Sequence, residues 1–316
     1  MDYKCKECGE EFQSRKSFHH HLKAHSLRIG DYYVKHYKKH DLFTKNLLAF
    51  KSYDQYFRED FNSFDNYLSW LDCNDSFTTE PYVIEKAKQR FEEKNISISP
   101  PNLYYQLSEM ADINNYKKIF GSYSFFLKKL SIDQWFNKKI PENFWNQNCD
   151  ELKIFIDTRE KNPIIYKNSL QQKLDFGDYT AGGDFYTKTF IDRKAQDDFR
   201  QTFGKDIDRF RREMDRCVKF NCYMFVVVES SIDKIEQDNE TSNFKSNLGF
   251  VWHNLRNLII DYPKNLQIIF ASSRSGATKI IPKILYYGDQ LWNVDLQYYI
   301  DNKIHGMAKR KTKIST

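Results

Sequence analysis

Three short apolar runs in the second half of the chain each end in charge, and this pattern restricts the fold more than any other feature. LKIFID (152–157) closes on Asp157, FYTKTFIDRK (185–194) closes on Asp192, Arg193 and Lys194, and the valines at 226–228 precede Glu229. Apolar runs of this length between polar loops suit buried strands. Between the first two, LDFGDYT (174–180) places Asp178 directly after Gly177. Side chains alternate along a strand, so Asp192 and Lys194 share one face and Arg193 points to the other. A helix is expected next, carrying Asp198, Phe199, Arg209 and Glu213.

Several carboxylates at strand ends create a concentrated negative field that is costly unless a cation answers it. Oxygen ligands with room for water suit Mg2+ or Mn2+. A lysine one strand step from such an ion can orient water or stabilise charge on a phosphate, which is the chemistry of phosphodiester hydrolysis.

The string Asp157-x-Arg159-Glu160, then Gly177-Asp178-Tyr179, then Asp192-Arg193-Lys194-x3-Asp198 resembles the XPF-type structure-specific nuclease domain of the PD-(D/E)XK superfamily. The resemblance covers roughly residues 152–285. It implies an α/β fold: a restriction-endonuclease-like core with a mixed sheet flanked by helices. It implies Asp178 and Asp192 as central ligands of Mg2+ or Mn2+, Asp157 as an added acidic ligand and Lys194 as the catalytic lysine. Glu160, Arg193, Asp198 and Arg209 would be supporting residues. Cleavage of DNA would leave a 5′-phosphate. Two departures stand out. The family's Glu is Asp192 here, and no tandem helix-hairpin-helix module is visible after residue 270.

The N-terminus carries Cys5-x2-Cys8-x12-His21-x3-His25. Two thiolates on a tight turn and two imidazoles one helical turn apart form a tetrahedral set that suits Zn2+. Phe12, Phe18 and Leu22 would supply the small core of a ββα unit. Residues 3–25 resemble the two-cysteine/two-histidine zinc finger family. In that family the base-facing helix positions would fall at Ser14, Ser17 and His20, and serines read bases weakly. Phosphate contact by Arg15, Lys16 and Lys23, with His20 nearby, is the expected use. A protein-binding finger or a structural cap are the competing readings.

Residues 30–148 are expected to be mainly helical, a DNA-binding or linking region. DYYVKHYKKH (31–40) interleaves aromatic and basic residues. Its His36 and His40 lack a second cysteine pair and are expected to face solvent or DNA. NNYKKIFGSYSFFLKKLSI (114–132) reads as two short helices around Gly121. It is either an ordinary hairpin with an aromatic core or a unit similar to the helical repeat attached to homing endonucleases. PENFWNQNCDE (141–151) is expected to link into the nuclease domain at 150–302. The finger is expected over residues 1–28.

The chain has 316 residues, 40% of them hydrophobic, which excludes global disorder. The net charge is +6, and residues 303–316 hold five Lys/Arg and no acid. Such a basic tail suggests a polyanion partner, set against a merely solvated terminus. Six cysteines without a disulfide framework fit a reducing, intracellular setting: the cytoplasm of a bacterium or phage-infected cell, or a nucleus. No apolar run approaches a membrane span, and the polar opening is unlike a secretory signal.

The expected function is a metal-dependent DNA endonuclease. Finger and helices without a hairpin module favour a site-directed nuclease of a phage or mobile element. A repair or recombination nuclease acting on flaps or junctions is the alternative. A non-cleaving DNA-binding or scaffold protein is the reading from another class, and such a copy would be expected to lose Asp178, Asp192 or Lys194. Two cuts on a duplex would need two sites, which a homodimer supplies.

Overall fold

The computed structural model describes residues 3–36, 79–108, 110–242 and 246–302. They group into two compact units, the first drawn from residues 1–90 and 108–126 and the second from 91–107 and 127–316. The basic run 303–316 and His40 lie outside the described residues. Among the described residues, no helix is long and apolar enough to cross a membrane.

In the first unit, β1 (Tyr3–Lys4) pairs antiparallel with β2 (Glu11–Phe12), and α1 (Arg15–His21) follows. The Ser14 hydroxyl caps α1 by accepting from the Ser17 amide. This is the expected ββα order. The next helix, α2 (Ile29–His36), joins the finger. Its Tyr32 is fully buried with Cys5, Phe18 and Leu22, with its ring edge-on to Phe18 at 5.3 Å. So small a core gains much from one added aromatic side chain.

Four helices come next in the chain: α3 (Thr79–Glu93), α4 (Asn102–Gln106), α5 (Ile113–Phe120) and α6 (Tyr123–Lys129). The turn between α5 and α6 sits on Gly121 at φ +74°. Asp112 caps α5, accepting from the Asn115 amide at 2.9 Å. Tyr116 stacks on Phe126 at 3.9 Å and Phe120 leans on the same ring, so these aromatics are the core of a helical hairpin.

The second unit is built on a six-stranded mixed sheet in the order β4-β3-β5-β6-β7-β8. The strands are β3 (Ile154–Ile156), β4 (Ser169–Gln171), β5 (Tyr179–Ala181), β6 (Thr189–Lys194), β7 (Tyr223–Val228) and β8 (Leu266–Phe270). β5 runs antiparallel to both neighbours, whereas β6, β7 and β8 are parallel. The interior strand β7, YMFVVV, lies between β6 and β8 and is buried at every position. A parallel strand covered on both faces needs such an unbroken apolar run.

Five further helices flank the sheet: α7 (Gln196–Phe203), α8 (Ile207–Lys219), α9 (Ile232–Thr241), α10 (Leu248–Asp261) and α11 (Arg274–Tyr287). One sheet face, with Ile156, Tyr179, Ile191, Phe225 and Val227, packs in a single core with Ile281, Ile284 and Leu285 of α11. On the other side Phe199 of α7 meets Phe270 of β8 at 5.6 Å and Trp252 of α10 at 5.6 Å. Helices on both faces of a mixed sheet make the core α/β, consistent with the expected restriction-endonuclease-like architecture.

Two local expectations change. The single helix after Lys194 is two, broken at Gly204, where an added Cβ would come within 2.6 Å of the Arg200 carbonyl oxygen. The segment 141–151 is tied down: Phe144 is fully buried with its ring 5.5 Å from Tyr287, and the Lys283 ammonium donates to the carbonyls of Phe144 and Trp145.

Candidate active site and metal-ligand clusters

The acids of the second unit line up through strand register. In the β5–β6 ladder Tyr179 faces Ile191, and in the β3–β5 ladder Ile156 faces Tyr179. One residue further on, Asp157 stands opposite Asp178, and Asp178 opposite Asp192. The backbone supports the first step, the Asp157 amide donating to the Asp178 carbonyl at 2.8 Å; at the second the ladder turns irregular, the Asp178 amide donating to the Ile191 carbonyl at 2.6 Å while the Asp178 side chain accepts from the Arg193 amide at 2.7 Å. Ile156, Tyr179 and Ile191 face α11, so by alternation the three acids face the α7 and α8 side. Gly177 makes this approach work. Its φ is +56°, and a Cβ there would stand 2.5 Å from the Ile191 carbonyl oxygen.

Asp192 is buried, and its Oδ1 lies 2.6 Å from the Lys194 ammonium. Asp198, exposed on the first turn of α7, comes within 3.4 Å of the same nitrogen. Asp178 is half-buried, and its Oδ2 accepts from the Arg193 amide at 2.7 Å. Burial and then the Asp192 charge push the Asp178 carboxyl well above the usual carboxylate range. Burial pulls the Lys194 amine down, but Asp192, Asp178 and Asp198 outweigh it and hold its pKa above the ordinary lysine value. Around Lys194, three acids face one ammonium.

Asp157 is differently placed. Its carboxylate is buried and fully engaged, accepting from the amides of Arg159 and Leu174 at 2.7 Å each and from the Arg159 guanidinium at 2.7 and 2.9 Å. Burial works to raise its pKa, yet the bonds from Arg159 and Leu174 win and hold it below the usual range. The register brings Asp157 into the row, but its oxygens are turned onto Arg159 and Leu174. Among the described residues, no third Asp, Glu, His or Cys brings a ligand atom close to those of Asp178 and Asp192.

On the opposite face, Arg193 organises a separate cluster. Its guanidinium reaches Glu229 at 2.6 Å, Glu160 at 3.1 Å and the Asn162 carbonyl at 2.9 Å. Arg274, at the start of α11, shares Glu229 at 3.4 Å and the Asn162 carbonyl at 2.9 Å. Glu160 therefore braces Arg193 and stands on the other side of the sheet from Lys194. Arg209 is exposed on α8, one turn before Glu213, whose carboxylate accepts from the Gly177 amide at 3.1 Å.

Glu213, Glu229, Asn162 and Arg274 had no assigned role in the sequence reading. Glu213 and Glu229 carry a weak signal, as acids on the helix and strand that follow the string. Asn162 and Arg274 carry none, because they act through a loop carbonyl and a helix start distant in sequence.

The first unit gathers Cys5, Cys8, His21 and His25, whose ligand atoms all lie within 4.8 Å of one another. Cys8 Sγ is 3.2 Å from His21 Nε2, Cys5 Sγ is 3.6 Å from His25 Nε2, and the two imidazole Nε2 atoms are 3.0 Å apart. A tetrahedron with Zn–S near 2.3 Å and Zn–N near 2.0 Å has edges of roughly 3.3–3.8 Å, so the donor set fits zinc. The knuckle between the cysteines is clamped by α2. The Lys6 amide donates to the Tyr32 hydroxyl at 2.9 Å, and Glu7 binds Lys35 at 2.6 Å and also His36. His36 thus faces Glu7 rather than open solvent. Arg15, Lys16, His20 and Lys23 are exposed on the helical part of the finger. The hydroxyls of Ser14 and Ser17 bond to each other at 2.7 Å.

No family model matches the chain, and a search of curated proteins finds no relative. Among solved structures, it is similar to XPF from Aeropyrum pernix, at 15% identity and a TM-score of 0.33 over 47% of this chain and 71% of that one. It is also similar to XPF from Aeropyrum pernix in complex with DNA, at 15% identity and a TM-score of 0.32 over 43% of this chain and 63% of that one. Overlaps this slight decide nothing about chemistry.

Proposed function

We propose that the protein is a metal-dependent endodeoxyribonuclease whose centre is Asp178, Asp192 and Lys194. The observation that carries this reading is the excess of acid on one sheet face, where Asp178, Asp192 and Asp198 surround the Lys194 ammonium. The donors are hard oxygens, and two carboxylates with the remaining positions left to water and phosphate match how Mg2+ is usually held. Asp178 and Asp192 would hold the ion; Mg2+ or Mn2+ there would polarise a phosphoryl oxygen and acidify bound water.

The remaining work falls to the chain's own groups. Lys194 keeps its proton, so it acts as a donor and point charge toward a phosphate oxygen. Asp198 restrains the ammonium from the helix side. The Arg193 amide fixes Asp178, while the Arg193 side chain is locked on the far face by Glu229 and Glu160. Asp157 is a brace in this scheme, holding the loop before Gly177 in place. The zinc-bound finger serves as a DNA anchor through Arg15, Lys16, His20 and Lys23, which favours a site-directed enzyme.

The test is one cleavage panel with Mg2+ or Mn2+, offering linear duplex, flap, splayed-arm and four-way substrates to wild type and to Lys194→Ala. The expected result is cutting by wild type and none by the variant at similar DNA affinity. Cutting confined to branched substrates would turn the reading to a structure-specific nuclease. Equal cutting by both proteins would remove Lys194 and the assigned centre with it.

A further inference from the structure

The loop 174–177, which leads into Asp178, is held by side chains from the turn after Asp157 and from α8. Arg159 Nη2 donates to the Leu174 carbonyl at 2.8 Å, and Arg216 Nη2 donates to the Asp175 carbonyl at 3.3 Å. The Arg216 guanidinium also lies over the Phe176 ring, 5.5 Å from its centroid. Beside these contacts the Glu213 carboxylate takes the Gly177 amide at 3.1 Å. Arg209 and Arg216 stand four residues before and three after Glu213, so the three share one flank of α8.

This flank carries positive charge that the protein does not use up. Arg159, Arg209 and Arg216 are all exposed. Arg200 of α7 and Arg211 of α8 pair with Asp197 and Asp261. Among the described residues, neither Arg209 nor Arg216 pairs with a carboxylate, and Glu213 between them is turned onto the Gly177 amide. Asp157 answers the charge of Arg159 but binds only Nε and Nη2, which leaves Nη1 free on a side chain that is 64% exposed. That guanidinium is already fixed by its fork, so little side-chain entropy is left to lose when a ligand takes the free edge.

A planar guanidinium with a free N–H edge suits a phosphate oxygen. Arg209 and Arg216 are seven residues apart, about 10 Å along the helix, and the phosphates of one strand recur every ~3.4 Å of duplex axis. Two such arginines meet different phosphates of one backbone rather than a single small anion. We propose, resting on the nuclease reading above, that Arg159, Arg209 and Arg216 grip the backbone of the DNA strand that is cut, each taking a phosphate near the phosphodiester at Lys194. They bind substrate and are not part of the ion's ligand set.

The test is filter binding of duplex DNA to the full chain across a salt series, with Ca2+ in place of Mg2+. Arg209→Gln and Arg216→Gln should each make the log–log slope shallower by about 0.9, the loss of one phosphate contact, and the triple variant with Arg159→Gln by about 2.7. Lys279→Gln, an exposed base on α11 across the sheet, removes the same charge and should leave the slope unchanged. Arg159→Gln also gives up its pair with Asp157 and should melt lower; the two α8 variants lose no ion pair and keep the test on folded protein. On a substrate that wild type cuts in Mg2+, a neutral methylphosphonate linkage beside the cut should slow wild type and slow Arg216→Gln no further. Equal slowing of both would place the arginines away from the cut and overturn the grip. So would a slope unmoved by the arginine variants, or moved as much by Lys279→Gln, in a chain that cuts DNA, and the nuclease centre would stand. A shallower slope in a chain that cuts nothing would keep the arginine contacts and discard the nuclease centre instead.

Discussion

Asp157→Ala separates a brace from a metal ligand. The wild-type carboxylate is buried and takes the Leu174 and Arg159 amides at 2.7 Å each, together with the Arg159 guanidinium. A hydrogen bond to a charged group contributes about 1.5–3 kcal/mol, and a buried donor left without a partner costs at the upper end. Leu174 is buried, so its amide counts fully, whereas the half-hydrated Arg159 amide counts for about 1 kcal/mol. The Arg159 side chain is 64% exposed, so the ion pair itself adds only about 0–1 kcal/mol. The expected loss is about 3–5 kcal/mol, which in a domain of this size lowers the melting temperature by on the order of 10 °C. Thermal unfolding by circular dichroism measures it directly. The pH dependence has a definite sign. A carboxyl whose folded pKa is depressed stabilises above its unfolded value, near about 3.9, and that contribution fades as pH falls through the folded value. The gap between wild type and variant should therefore be full at neutral pH and close in acid. A variant that melts like wild type but binds Mn2+ more weakly would refute the brace and restore Asp157 as a ligand.

Other outcomes follow from the same geometry. Lys194→Ala should cut cleavage by roughly 10²–10³-fold or more while DNA affinity holds, checked by single-turnover rates and filter binding. Asp178→Asn should be inactive yet melt higher at pH 7. Its folded pKa is raised, so the charged form costs stability once pH rises through that value, and the neutral amide removes the cost. Cys8→Ser or chelation should unfold the finger, α2 included, seen as lost amide dispersion for residues 3–36 with the sheet's melting unchanged. Ending the chain at Asn302 removes five Lys/Arg and should flatten the salt dependence of DNA binding by up to about four or five in log–log slope.

The strand ends were readable because a period of two and a terminal charge are local properties of the sequence. FIDRK predicts by alternation that Asp192 and Lys194 share a face and Arg193 opposes them, and the hydrogen bonds divide the same way. The glycine before Asp178 is where a side chain would strike the Ile191 carbonyl. The finger was readable for a similar reason, since four ligands at fixed spacing leave few ways to fold.

Asp157 shows where such reading stops. Its strand, its face and its place in the row of acids all follow from pattern. The use of its oxygens does not, because it depends on the backbone turning at Arg159 and on the Leu174 amide arriving from a loop with no periodicity. Tyr32 fails for a related reason: one aromatic in a basic run looks like any other until the finger's core has room for it. Residues placed by a strand or a metal can thus be located before the fold is known. Residues placed by a loop become visible only once the fold has brought their partners near. At this site the two kinds differ in role as well. Asp178, Asp192 and Lys194, set by strand register, face the charge they would act on. Asp157 and Glu229 also follow strands, but their oxygens are taken up by partners that a loop and a helix start bring to them, Arg159 and Leu174 for the first and Arg274 beside Arg193 for the second.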